Sequence, residues 1–96
     1  MTKKDILNLL SQYKQELQSN YSVEKIGLFG SYAKDTATES SDVDIYVEFR
    51  DKKFKNIAKT WNFLEEKIGK RIDLLYNHKN MRDSLRNSIK KDIIYG

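Results

Sequence analysis

Three short stretches of this chain carry residues that could do chemistry together. Gly30-Ser31 closes the apolar run from Lys25 to Phe29 and opens a helical turn. Glycine lets a backbone come close to a bulky anion, the N–H groups after it point at whatever sits there, and a serine hydroxyl adds one more donor. Asp42-Val43-Asp44 begins a run of strict alternation. On a strand, positions i and i+2 lie about 6.5–7 Å apart on one face, so the two carboxylates converge. Like charges so placed are unfavourable unless something positive sits between them, an arrangement that suits hard divalent cations with oxygen ligands. Asp73 stands alone in Ile72-Asp73-Leu74-Leu75, a charge within an apolar strand that is costly unless paired or functional.

Each stretch also has a plain reading. Gly-Ser is a common turn pair, an Asp-x-Asp can be a solvated strand edge, and Asp73 can form a salt bridge with Arg71 or Lys70. Together they say more. A phosphate cradle, a carboxylate pair for cations and a third carboxylate near an attacking group are the parts that nucleotidyl transfer needs.

The elements that must position these residues follow from periodicity. Thr2 and Asp5 form a capping box, and Ile6, Leu9, Leu10, Tyr13 and Leu17 recur at helical spacing to about Gln18. Ser19 to Ser22 reads as a turn and Lys25 to Phe29 as a first strand. Tyr32 to Lys34 allows one helical turn, and Asp35 to Ser41 is a polar loop. In the second strand Asp42, Asp44, Tyr46 and Glu48 share one face, with Tyr46 bordering the carboxylates, while Val43, Ile45, Val47 and Phe49 share the other. Phe54, Ile57, Trp61, Leu64 and Ile68 predict a helix to about Lys67 with Trp61 in the core and Gly69 as the stop. Arg71 to Tyr76 is a third strand, and the crossover helix before it would set Asp73 beside Asp42 and Asp44. Met81, Leu85 and Ile89 mark a last helix opened by Asn80, and Ile93 to Tyr95 is an apolar tail that should dock. The order is α-β-α-β-α-β-α, an α/β domain.

Composition narrows the class further. With 39% hydrophobic and 33% charged residues the 96-residue chain is of the folding kind. Cysteine is absent, which excludes disulfides and Cys-based zinc sites and fits a cytoplasmic location. No apolar run approaches the ~18 residues of a membrane span, and Lys3, Lys4 and Asp5 lead into an amphipathic pattern rather than a signal peptide. Five Lys face eight acids up to Phe49, whereas thirteen Lys or Arg face six acids from Arg50 onward. That basic half could attract a nucleotide, a nucleic acid or an acidic partner. Without an aromatic stacking platform or a nucleic-acid motif, direct nucleic-acid binding is not expected. The single histidine, His78, reads as a loop residue.

Gly30-Ser31-Tyr32-Ala33-Lys34, the ten residues between Ser31 and Asp42, and Ser41-Asp42-Val43-Asp44 resemble the signature of the DNA polymerase β-like nucleotidyltransferase superfamily. The likeness is greatest to its smallest branch, the minimal nucleotidyltransferase (MNT) proteins, and it covers nearly all of residues 1–96 as one domain. It implies a three-stranded mixed sheet in order 1-2-3, packed with helices. It implies that Gly30, Ser31, Lys34 and Ser41 bind ATP, and that Asp42 and Asp44 coordinate two Mg²⁺, with Asp73 as the third catalytic carboxylate, a metal ligand or general base. MNT proteins pair with HEPN-domain toxins. The resemblance therefore implies an antitoxin that transfers AMP from ATP to a tyrosine of a HEPN ribonuclease, releasing pyrophosphate. The other reading is a non-catalytic antitoxin that inhibits its partner by binding alone, though a binding module gains nothing from three clustered negative charges. Two positions depart from the pattern: Lys34 where Arg is frequent, and Asp35 where Gly is usual. Lys34 keeps the charge but loses the bidentate fork. Asp35 tolerates a left-handed backbone, yet its charge near a triphosphate would weaken binding.

Overall fold

A computed structural model describes residues 1–78 and 81–96. Its frame is the alternating segment, which forms β2 (Val43–Phe49) with Val43, Ile45, Val47 and Phe49 buried and Asp44, Tyr46 and Glu48 half-buried on the opposite face. β1 (Val23–Phe29) runs antiparallel along one side of it and β3 (Ile72–Tyr76) parallel along the other. The sheet is thus mixed, as expected, and the parallel pair is joined by a helical crossover, α3 (Phe54–Ile68). The buried face of the sheet meets Ile6, Leu10 and Leu17 of α1 (Lys3–Tyr21) and Ile57, Leu64 and Ile68 of α3 in one core. Tyr13 and Phe63 lock the two helices together edge to face, 5.3 Å between ring centres.

Local chemistry sets the element ends. The Thr2–Asp5 capping box forms in full, which holds Asp5 below the usual carboxylate range through its bonds to Thr2. Gly69 closes α3 with φ 76° and its N–H on the Glu65 carbonyl. The expected turn at Ser19–Ser22 is instead helix to Tyr21. Ser22 takes the left-handed cap at φ 61°, and Tyr21 packs against Phe63.

The expectation of three strands is corrected to four. After α4 (Asp83–Asp92), the apolar tail becomes β4 (Ile94–Tyr95), antiparallel to β1, and the strand order is β3-β2-β1-β4. The outer edge of β1 offers unpaired backbone groups, and the tail takes them up, with the Gly96 N–H on the Ile26 carbonyl at 2.9 Å. Gly27 permits this, because a β-carbon there would lie 2.6 Å from Ile93 Cγ1. Two paired residues are too few to display a strand period. The expected opening of the last helix at Asn80 lies outside the described residues. Among the described residues no helix is long and apolar enough to cross a membrane.

Trp61 is a second correction. The core stripe of α3 runs through Ile57, Thr60, Leu64 and Ile68, while Trp61 lies at its margin, 36% exposed. Thr60 is fully buried and its hydroxyl has no partner among the described residues. An unpaired buried hydroxyl costs roughly 1–3 kcal/mol. Thr60→Val, which keeps the shape and removes the orphan group, is therefore expected to raise stability by about 1 kcal/mol in equilibrium urea unfolding.

Candidate active site

Phe29, the last residue of β1, pairs with Asp44, and Asp44 in turn stands opposite Asp73 in the parallel β2–β3 register. The chain then leaves β1 through Gly30 at φ 74° into the one-turn helix α2 (Gly30–Ala33). A β-carbon on Gly30 would run into the Asp44 carboxylate. Only glycine allows both this backbone angle and this closeness. The expected cradle and the expected carboxylates are therefore one neighbourhood at one end of the sheet.

Its electrostatics are unfavourable as they stand. Burial raises the Asp44 pKa most, the charges of Asp73 and Asp42 raise it further, and the backbone N–H of Ser31 offsets part of the rise. Asp42 and Asp73 are exposed, and none of the three aspartates forms an ion pair among the described residues. The plain reading of Asp73 as partner to Lys70 is not met, since the Lys70 ammonium donates to the Glu39 carbonyl at 3.3 Å. Among the described residues no three acidic or histidine side chains are gathered closely enough to enclose a metal ion by themselves. The donor set still fits a hard divalent cation: all are carboxylate oxygens, and the repulsion felt at Asp44 is what a cation would cancel.

The remaining nucleotide-binding candidates are placed differently. The Lys34 ammonium lies 3.3 Å from Asp92 at the end of α4. Ser41 closes a local turn, its Oγ accepting from the Thr38 N–H at 2.9 Å. Asp35 adopts the left-handed backbone foreseen for it, φ 61°, and its carboxylate turns to Lys3 at 2.9 Å. That pairing draws its charge toward α1 and away from the cradle. Tyr46 lies on the carboxylate face but lines a groove under α4 with Glu48, Met81 and Arg86. Its hydroxyl is pushed up to about 12, first by burial and then by the charge of Glu48.

Sequence periodicity missed a clamp on β3. Trp61 Nε1 donates to the Ile72 carbonyl at 2.8 Å, and the Glu65 carboxylate accepts from the Ile72 N–H at 3.0 Å. Two side chains one helical turn apart thus satisfy both backbone groups of the residue before Asp73. The outer edge of β3 has no strand beyond it, so the helix supplies what a strand would have supplied. A cleft of about 510 Å³ opens here, lined by Asp42, Trp61, Asn62, Glu65, Arg71 and Asp73. The available signal was a Trp at the margin of an apolar stripe, one position from a threonine that fits the core as well.

The sequence profile of the nucleotidyltransferase domain matches residues 10–95. The protein adenylyltransferase MntA of Thermococcus cleftensis is 35% identical over 95 residues, covering 98% of this chain and 91% of that one. A solved structure provisionally described as a minimal nucleotidyltransferase superposes with a TM-score of 0.80 at 24% identity, covering 98% of this chain and 95% of its own. A chain of the complex between a tri-AMPylated Shewanella oneidensis HEPN toxin and an MNT antitoxin gives a TM-score of 0.67 at 17% identity, covering 98% and 71%. At these identities the two structures speak to the fold.

The crowding at Asp44 has a measurable sign. A carboxyl whose folded pKa is raised costs stability when ionised, and the cost disappears as pH falls through that raised value. In chelator-treated protein at neutral pH, Asp44→Asn is expected to raise the melting temperature by a few degrees. The gain should shrink toward zero in acid, where wild-type Asp44 is itself protonated. Gly30→Ala is expected to lower the melting temperature at every pH, because its strain is steric.

Proposed function

The chain belongs to the nucleotidyltransferase domain family, and on that premise we propose that it transfers AMP from ATP to a protein acceptor, a tyrosine of a HEPN ribonuclease toxin, and so acts as an antitoxin. The observation that carries this reading is the convergence of Gly30, Asp44 and Asp73 at one end of the sheet. Its similarity to a protein adenylyltransferase, and in fold to an MNT antitoxin complexed with an AMPylated toxin, supports the donor and acceptor classes.

The roles follow from the chemistry of the side chains. The α2 turn would offer the Ser31 hydroxyl and the backbone N–H groups not engaged by Asp44 to the triphosphate, with Gly30 keeping the approach open. Lys34 contributes a cation once it exchanges Asp92 for phosphate, and Ser41 adds a hydroxyl from the loop before β2. Asp42, Asp44 and Asp73 would hold two Mg²⁺, which when bound neutralise charge building up on the transferring phosphoryl group. Asp73, exposed on the edge strand, would accept the proton of the attacking hydroxyl. An adenylyl group on a tyrosine near a ribonuclease site adds bulk and negative charge where RNA phosphates must bind, so inactivation follows from electrostatics.

Catalysis and simple binding separate in one pair of assays with the HEPN partner, a pull-down beside transfer of labelled AMP. Asp44→Asn should lower transfer by more than ~10³-fold, as loss of one metal-holding carboxylate typically does. Partner capture should stay within about twofold of wild type, since one charge inside the cleft adds little to a docking surface. An Asp44→Asn protein that neutralises the partner as fully as wild type would establish the binding-only antitoxin instead.

A further inference from the structure

The cleft between α3 and β3 contains residues that the roles above leave unused: Trp61, Asn62 and Arg71. We infer that this cleft receives the acceptor, as an uncharged phenolic side chain, while the nucleotide occupies the other side of the aspartates. The inference rests on the transferase reading, tyrosine acceptor included, and adds to it where that acceptor enters and which residues receive it.

The first argument is directional. In an in-line displacement the attacking oxygen and the leaving pyrophosphate lie on opposite sides of the α-phosphorus. Pyrophosphate belongs with the Gly30–Ser31 turn, which continues β1, and β1 flanks Asp44 on one side. β3 flanks it on the other, and the 510 Å³ cleft opens there. The attacking group must then come from the β3 side. The ribose of the nucleotide leaves the phosphorus roughly at right angles to this line, so the nucleobase is not directed into the cleft.

The second argument is chemical. With Asp42 and Asp73 engaged at the inner end, the outer rim is Trp61, Asn62, Glu65 and Arg71, which is formally neutral. Glu65 is already committed to the Ile72 N–H and the Trp61 N–H to the Ile72 carbonyl. What remains on offer is the indole ring, the Asn62 amide and the exposed Arg71 guanidinium. One indole at the rim of a mainly polar cleft, with neutral and cationic donors beside it, suits the ring and hydroxyl of a phenol. In the transfer the phenolic oxygen bonds to the α-phosphorus as the bond to the α,β-bridging oxygen breaks. Pyrophosphate leaves with that electron pair, and the phenolic proton passes to Asp73.

Trp61 is the only tryptophan in the chain, so its indole N–H gives a single signal in a ¹H–¹⁵N spectrum of the whole protein. Adding the non-transferring analogue AMP-PNP with Mg²⁺ should move the Gly30 and Ser31 amide signals and leave the indole in place. Adding N-acetyltyrosinamide to that complex should then move the indole and the Asn62 side-chain amide. Arg71→Ala should weaken this second effect roughly fivefold, the loss of one polar contact, without altering the response to nucleotide. Saturable movement of the indole with AMP-PNP alone would put the nucleobase in the cleft and overturn the inference. So would silence at the indole with tyrosinamide at its solubility limit while Gly30 and Ser31 respond to nucleotide, a result that spares the transferase reading. Silence at Gly30 and Ser31 with nucleotide would bring down that reading and the acceptor site with it.

Discussion

Asp44 cannot move away from Asp73. The parallel pairing of β2 with β3 sets the two residues opposite each other, and on the reverse face Val43 and Ile45 are fully buried in the core formed with α1 and α3. A one-residue slip of β2 would send those apolar side chains to solvent. The register that buries the core therefore also half-buries Asp44 beside Asp73, and burial first, then the charges of Asp73 and Asp42, push the Asp44 pKa up. Small domains have little stability to spare, and this one keeps a repulsive cluster that a more stable sequence would discard. Such a sacrifice is expected where a charged ligand completes the arrangement.

The surrounding devices make sense as supports for that cluster. Gly30 lets the β1 exit approach Asp44. The Trp61–Glu65 clamp fixes the start of β3, and with it the height of Asp73. The 35–41 loop is tied at both ends, by Lys3 to Asp35 and by Lys70 to the Glu39 carbonyl. Asp35 is accommodated by giving its backbone the left-handed turn and its charge a lysine. The pairing of Lys34 with Asp92 is exposed on the Lys34 side, so breaking it costs little.

What could be read beforehand divides along physical lines. The alternation from Val43 to Phe49 survived intact as buried and open faces because both faces are long enough to show a period of two. The capping box and the Gly69 stop were legible because each is satisfied within a few residues. The spacing from Gly30 to Asp44 and on to Asp73 pointed to one site, and the register brings those residues together. The fourth strand was hidden since only Ile94 and Tyr95 pair, held by the vacant edge of β1 rather than by their own pattern. Trp61 and Thr60 were exchanged because a helical stripe is broad, and the neighbour across the helix decides which margin is covered. No local signal showed that the β3 edge would need side-chain partners.

The central claim is that Asp44 of β2, Asp42 just before it and Asp73 of β3 form, with the Gly30 turn, one site for a cation-bound nucleotide. Paramagnetic broadening by substoichiometric Mn²⁺ in the presence of AMP-PNP tests it most directly, since the loss of signal falls steeply with distance from the ion. The account predicts that amide signals of Gly30, Ser31, Asp42 to Asp44 and Asp73 vanish first, and that Asp44→Asn restores them. Broadening centred elsewhere, for example on Glu48 beneath α4 or on Glu24, with the Gly30 turn untouched, would contradict it.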